Sequence, residues 1–272
     1  MEFATTLLPI IIALLLAGFA SGVLAGLLGV GGGIILVPVL FQTFILMGLP
    51  PSLQIHMAVG TSLAIICFTA WQSAKSHWQK GAVDSTILKS WGGFIIAGAL
   101  SGAITARYIA PDGLKIIFAA FSLILGVRMM LSRDGGEGRH IGLPAFMQKA
   151  AASAIGFFSA LMGIGGGTFS VPLLGVVGRN VHQAVGTSSA MGFLVAVPAT
   201  LGFVVGGWGL PDLPPFAFGY VYGLAMLIII PTAMAGAPVG ARLAHRLSRR
   251  TLTYIFAVFL LLGAARMIAN LF

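Results

Sequence analysis

The chain has 272 residues, of which 58% are hydrophobic and only 8% charged. A soluble domain carries about 25% charged residues, so a soluble enzyme or binding module is excluded and a polytopic membrane protein is expected. Fifteen Lys+Arg against six Asp+Glu leave a net charge of +9, held mostly in short loops, which reads as topology information and attraction to anionic lipid rather than to nucleic acid. The single cysteine, Cys67, excludes an internal disulfide and a thiolate metal site.

Met1-Glu2-Phe3 lacks the positive start of a signal peptide, so the N-terminus is expected to open the first membrane segment. Apolar segments then run near 7–28, 34–49, 57–74, 91–109 and 114–131. A polar stretch with Arg133, Asp134, Glu137 and Arg139 follows. The second half repeats the order near 150–162, 169–177, 184–205, 216–239 and 252–268. The expected organisation is a first transmembrane repeat over 1–132, a cytoplasmic inter-repeat loop over 133–147 and a second repeat over 148–272.

Between the first two segments of each half stands a glycine run, Gly29-Val30-Gly31-Gly32-Gly33 and Gly163-Ile164-Gly165-Gly166-Gly167. Each is followed, five residues on, by a proline (Pro38, Pro172). Each glycine costs about 1 kcal/mol in a helix interior relative to alanine. Unwound backbone survives in a bilayer only where protein or a watery cavity satisfies its polar groups. The pattern therefore predicts a break inside the membrane, made twice, with the prolines as helix-breaking residues.

The duplication shows in residues as well as in hydropathy. Gly31–Gly33 maps to Gly165–Gly167 at an offset of 134, and His56-Met-Ala-Val-Gly60-Thr61-Ser62 maps to His182-Gln-Ala-Val-Gly186-Thr187-Ser188 at 126. Gly98, Gly102, Phe118 and Arg128 map to Gly236, Gly240, Phe256 and Arg266 at 138. If each half crosses an odd number of times, twelve basic residues fall on one side and only Arg107, Lys115 and Arg266 on the other. An even number splits them seven against eight. The positive-inside rule thus favours inverted halves with both termini outside.

Length constrains the breaks. About 11 residues after the second run extend roughly 16 Å at 1.5 Å per residue, against about 30 Å of hydrocarbon. Segments 150–162 and 169–177 then form a hairpin dipping toward the midplane; in the longer first copy a hairpin and two crossings both stay open. The expected fold is an all-α polytopic membrane protein of two homologous, inverted halves. Each half holds a glycine-broken, re-entrant or discontinuous helix pair plus three spanning helices. Gly18-x-x-x-Gly22-x-x-x-Gly26, Gly98-x-x-x-Gly102 and Gly236-x-x-x-Gly240 are expected to let helix backbones approach closely.

A helix restarting at Ile34 or Thr168 presents unpaired N–H groups and the positive end of its dipole, an anion-binding arrangement that transporters place at the midplane. Gly31, Gly32, Gly33, Gly165, Gly166 and Gly167 are therefore candidate donors to a small anion; close helix crossing is the competing explanation. Thr61, Ser62, Thr187 and Ser188 are candidate hydroxyl donors, although membrane hydroxyls also bond their own backbone. His56 and His182 are candidate proton carriers or polar boundary residues, and Gln72 and Gln183 add hydrogen-bonding capacity. Arg128 and Arg266 suit snorkelling. No Asp or Glu falls inside an apolar segment, which argues against a metal-cation transporter and against intramembrane acid–base hydrolysis. No catalytic residue, cofactor or metal is expected.

The motif Gly-x-Gly-Gly-Gly-(x)3-Val/Ile-Pro, then Ala-Val-Gly-Thr-Ser, then Ser76-His77-Trp78-x-Lys80-Gly81-x-Val83-Asp84, resembles the sulfite exporter TauE/SafE family, also called the 4-toluene sulfonate uptake permease family. The first two motifs occur in both halves; the third is reduced to Trp208-Gly209-Leu210-Pro211 in the second. The resemblance implies transport of small sulfur-containing or organic anions such as sulfite, sulfoacetate or aryl sulfonates, and eight segments in a four-plus-four duplication. That count fits inverted halves only if one segment per half is the re-entrant pair. The expected protein is a secondary anion transporter working by alternating access in a bacterial cytoplasmic (inner) membrane. A passive anion channel and a non-transporting membrane component stay open as alternatives, as does a homodimer.

Overall fold

All ten apolar segments form helices, in the same order in both halves. The computed structural model describes residues 2–28, 32–131, 142–244 and 249–271. The first half comprises α1 (Glu2–Leu28), α2 (Gly33–Leu46), α3 (Pro51–Gln79), α4 (Ser85–Tyr108) and α5 (Pro111–Leu131). The second comprises α6 (Ala145–Met162), α7 (Gly167–Val176), α8 (Val181–Gly206), α9 (Gly223–Ala244) and α10 (Arg249–Ala269). Among the described residues, seven of these helices are long and apolar enough to cross a membrane. With 10 residues, α7 is not.

The bundle is organised around α3. Its most apolar window is 89% buried, against 28–50% for the other six candidate spans, so α3 is the central helix and the others present a face to lipid. Against it runs α8, antiparallel. Gly60 lies beside Phe203, Cys67 Sγ is 3.5 Å from Thr200 Oγ1, and Ser73 Oγ donates to Ser189 Oγ at 3.0 Å. The pair α5 and α10 is antiparallel too, with Lys115 Nζ donating to the Asn270 carbonyl at 3.4 Å and Gly126 against Leu261 and Ala257.

The small-residue motifs do the expected packing. On α1, Gly18 and Gly22 rest on Ile229, Thr232 and Ala233 of α9, whose Gly236 and Gly240 rest in turn on Phe19 and Val23. On α4, Gly98 and Gly102 rest on Ser153 and Phe157 of α6. These are the same contact made twice, since Gly98 and Gly102 map to Gly236 and Gly240, and Ser153 and Phe157 map to Phe19 and Val23. An added methyl would overlap facing backbone at Gly22, Gly98, Gly102, Gly236 and Gly240, and the Thr232 hydroxyl at Gly18.

Three details of the helices add to the expectations. First, α6 starts at Ala145 behind Pro144; a proline just ahead of a helix sets its entry. Its 18 residues make α6 a candidate span rather than a short arm. The inter-repeat loop lies mostly outside the described residues. Second, α9 starts at Gly223, later than the apolar segment does, and the stretch before it is a two-stranded antiparallel hairpin, β1 (Ala217–Phe218) with β2 (Val221–Tyr222), a short interruption in an all-α membrane fold. Third, Pro38 and Pro172 lie inside α2 and α7, five residues past the last glycine of each run. Lacking an N–H, each leaves the carbonyl four residues back, Ile34 or Thr168, without its helical donor.

Candidate functional site

The first break turns on Gly32, whose φ of 74° is the left-handed conformation glycine adopts without strain. Gly29, Val30 and Gly31 lie outside the described residues, so only Gly32 and Gly33 of the first run can be placed. The second break turns on Gly163, φ 66°. There the N–H groups of Gly163 and Ile164 fold back to the carbonyls of Ala160 and Ser159 at 3.4 and 3.1 Å, a Schellman ending for α6. Beyond it, the N–H groups of Gly165, Gly166 and Gly167 meet no acceptor among the described residues, and neither do those of Gly33 and Ile34. This is the unpaired state of helix N-termini.

The two breaks meet. A methyl on Gly33 would overlap the Gly163 carbonyl oxygen and lie 3.1 Å from Ile164 Cα. Residues of α3 pass both: Ile66 reaches Gly33, and Val59 lies against Gly163. Gly166 faces Val195 and Gly192 of α8. Ile34 and Ile164 are 2% and 0% exposed, so the breaks sit in the protein interior, closed to the surface and turned away from lipid.

The four predicted hydroxyl residues are all buried but divide by role. Ser62 Oγ donates to the Gly163 carbonyl at 2.8 Å, and Ser188 Oγ donates to the Val185 carbonyl at 2.9 Å, so both protons are occupied by backbone. Thr61 Oγ1 accepts the Tyr222 N–H at 2.9 Å, and Thr187 Oγ1 accepts the Asp84 N–H at 2.9 Å. A hydroxyl that accepts still has a proton to donate. The two threonine contacts are one contact repeated, because Asp84 and Tyr222 are related by the 138 offset. Gly60 and Gly186 make room for it, facing the carbonyls of Tyr220 and Ala82.

The histidines part company. His56 is 3% exposed; its Nε2 lies 3.0 Å from the Ala106 carbonyl and its ring stacks on Tyr220 with centroids 5.0 Å apart. Its Nδ1 is buried with no partner. His182 is exposed in the first turn of α8, outside any such enclosure. Gln72 Oε1 is buried and unpaired, whereas the Gln183 N–H is taken by the cap Asn180. Arg266 reaches Gln42 of α2.

Several buried hydroxyls at the breaks belong to none of the repeated motifs. Ser159, Thr168 and Ser170 hold side-chain oxygens with no hydrogen-bond partner among the described residues, as does Ser21, which packs on Gly32. Buried polar groups are normally paired, so each needs an explanation. The signal was in the repeat: at the 134 offset Ser159, Thr168 and Ser170 correspond to Ala25, Ile34 and Leu36, so only the second break carries these hydroxyls. Asp84 falls in a loop by sequence. It caps α4, accepting from the Thr86 and Ile87 N–H groups at 2.9 and 3.1 Å. Arg179 Nε stands 2.8 Å from its other oxygen, an ion pair rather than an aligned hydrogen bond.

A helical membrane bundle with two discontinuous helix pairs meeting at its centre is the architecture of a membrane transporter. The family profile described as sulfite exporter TauE/SafE matches residues 14–267, and the chain belongs to that family. It is 34% identical over 258 residues to a probable membrane transporter protein of Haemophilus influenzae, covering 94% of this chain and 97% of the relative. The probable membrane transporter protein YunE of Bacillus subtilis is 26% identical over 94% of this chain and 97% of its own length. A third, MJ0441 of Methanocaldococcus jannaschii, is 27% identical, covering 84% and 80%. No solved structure matches. Family and relatives together support a membrane transporter rather than an enzyme.

Proposed function

We propose that this protein is a secondary transporter of small anions, with sulfite, sulfoacetate and other organosulfonates as the substrate class, in a bacterial inner membrane. The observation that carries the reading is the meeting of the two breaks, where main-chain N–H groups without acceptors stand beside buried hydroxyls without partners. The N–H groups of Gly32, Gly33, Gly165, Gly166 and Gly167 would hold the anion's oxygens. Thr61 and Thr187 have protons to offer; Ser62 and Ser188 would act only after releasing their carbonyls. Two helix dipoles converging on the site supply positive potential without a buried cation.

Inverted halves are part of the proposal. Supporting them, the repeat-mates α3 and α8 run antiparallel, as do α5 and α10, and an odd number of crossings per half would put twelve of the fifteen basic residues on one side. Both termini are then outside. Because the breaks are closed to the surface, the anion enters and leaves only when one pair, α1–α9 or α4–α6, moves against α3 and α8. His56, with its enclosed ring beside the hairpin, is the histidine suited to carry a coupled proton; His182 is not.

The test uses purified protein. Sulfite and organosulfonates should raise the melting temperature, since ligands that bind only the folded state stabilise it, and proteoliposomes should show saturable uptake with counter-exchange. Stabilisation by amines or metal cations alone would overturn the reading, as would non-saturating flux.

A further inference from the structure

Where α3 ends and α4 begins, a groove of about 400 Å³ opens between α3, α4 and α8. Trp71, Lys75 and Trp78 line it from α3 at helical spacing, Lys89 from α4, and Phe193 and Leu194 from α8. Trp71 and Trp78 are 50% and 59% exposed. The Lys75 ammonium lies 5.4 Å from the centre of the Trp71 ring. Neither Lys75 nor Lys89 has a carboxylate partner among the described residues, whose ion pairs are Lys115–Asp112 and Arg179–Asp84. The groove is graded. Both lysines and Trp78 stand near the helix ends, and the seven residues back to Trp71 carry it about 10 Å along the helix to the apolar Phe193 and Leu194.

We infer that this groove binds one anionic phospholipid, its phosphate between Lys75 and Lys89 and an acyl chain laid along Trp71, Phe193 and Leu194. Tryptophan and lysine together mark the bilayer interface, and basic residues there attract anionic headgroups. The chemistry needs both halves of the ligand. A soluble phosphate would leave the apolar floor wet, and a neutral lipid would leave two cations unpaired. A second copy packed through this face would bring Lys75 and Lys89 toward their own counterparts. The site is separate from the glycine breaks and does not depend on what they carry.

Native mass spectrometry of the detergent-solubilised protein tests it, with phosphatidylglycerol and phosphatidylcholine added in turn. One retained phosphatidylglycerol is expected, favoured over phosphatidylcholine by roughly tenfold to 30-fold for two interfacial lysines. The double change Lys75→Gln with Lys89→Gln should reduce that preference to about twofold or less. Lys80→Gln with Lys149→Gln, which removes equal charge outside the groove, should leave it intact. Equal loss in both double variants would make the effect general surface charge and overturn the site. So would an unchanged Lys75/Lys89 variant, wild-type protein without headgroup preference, binding of water-soluble glycerol phosphate alone, or a dimer in place of the lipid adduct. Both lysines lie at the groove surface, so the folded variant is expected and gel filtration checks it.

Discussion

The Ser62 hydroxyl donates to the Gly163 carbonyl at 2.8 Å, joining the central helix of the first half to the break of the second across 101 residues of chain. Gly163 ends α6, and a helix's last carbonyls lack intrahelical donors. Ser62→Ala leaves that buried oxygen unsatisfied, at a cost of about 1–3 kcal/mol. A lower melting temperature in detergent is expected, with Ser62→Thr recovering part of the loss. Ser188→Ala should cost less, because the Ser188 proton goes only to its own helix, at Val185.

The glycines of the breaks differ in what they tolerate, which separates packing from binding. At Gly33 a methyl would strike the Gly163 carbonyl and lie 2.7 Å from Ile66 Cδ1. Backbone on one side cannot yield, so Gly33→Ala should cost about 1–3 kcal/mol or more and appear as poor recovery in gel filtration. At Gly166 the nearest atoms to a methyl are Val195 Cγ2 at 3.3 Å and Ser170 Oγ at 3.6 Å, and its φ of −52° suits alanine. Gly166→Ala should therefore fold within about 1 kcal/mol of wild type, yet weaken anion-induced stabilisation by crowding the neighbouring N–H groups. Equal anion response in both would leave the close-crossing explanation standing.

Much of this was legible in the chain itself. The glycine runs and the offsets announced ten helical segments and two breaks, and the Gly-x-x-x-Gly pairs marked the faces that pack closely, because each depends on residues spaced along one helix; that those faces join α1 to α9 and α4 to α6 is visible only in the fold. What was not legible depends on neighbours remote in sequence. Phe216–Tyr222 is apolar and short, and such runs do not distinguish strand from helix entry. They form a hairpin because Thr61 takes the Tyr222 N–H and Gly60 leaves space for the Tyr220 carbonyl. Likewise His56 and His182 are equivalent in sequence, but Tyr220 covers only one of them.

That repeated threonine contact makes a comparison inside one molecule. Thr61→Val strips the acceptor from a fully buried Tyr222 N–H, whereas Thr187→Val strips it from a half-buried Asp84 N–H that water can reach. The first should cost about 1–3 kcal/mol and the second less than about 1 kcal/mol. Thermal unfolding of the two variants beside wild type in the same detergent is the check. Equal losses would mean that water does not substitute at Asp84.

Ser170 offers the clearest separation of stability from binding. Its hydroxyl is fully buried and unpartnered, at the start of a helix whose equivalent in the first half carries Leu36 in that place. A buried hydroxyl without a partner is destabilising by about 1–3 kcal/mol, so Ser170→Ala should leave the melting temperature unchanged or raise it. If the hydroxyl is there to meet an anion's oxygen, the same change should shrink the anion-induced rise in melting temperature and raise the half-saturating concentration for uptake. Thr168→Val, which keeps shape and removes the second orphan hydroxyl, should act in the same direction. A variant that loses stability while responding to anions as wild type does would make Ser170 a packing residue and move the binding site away from the second break.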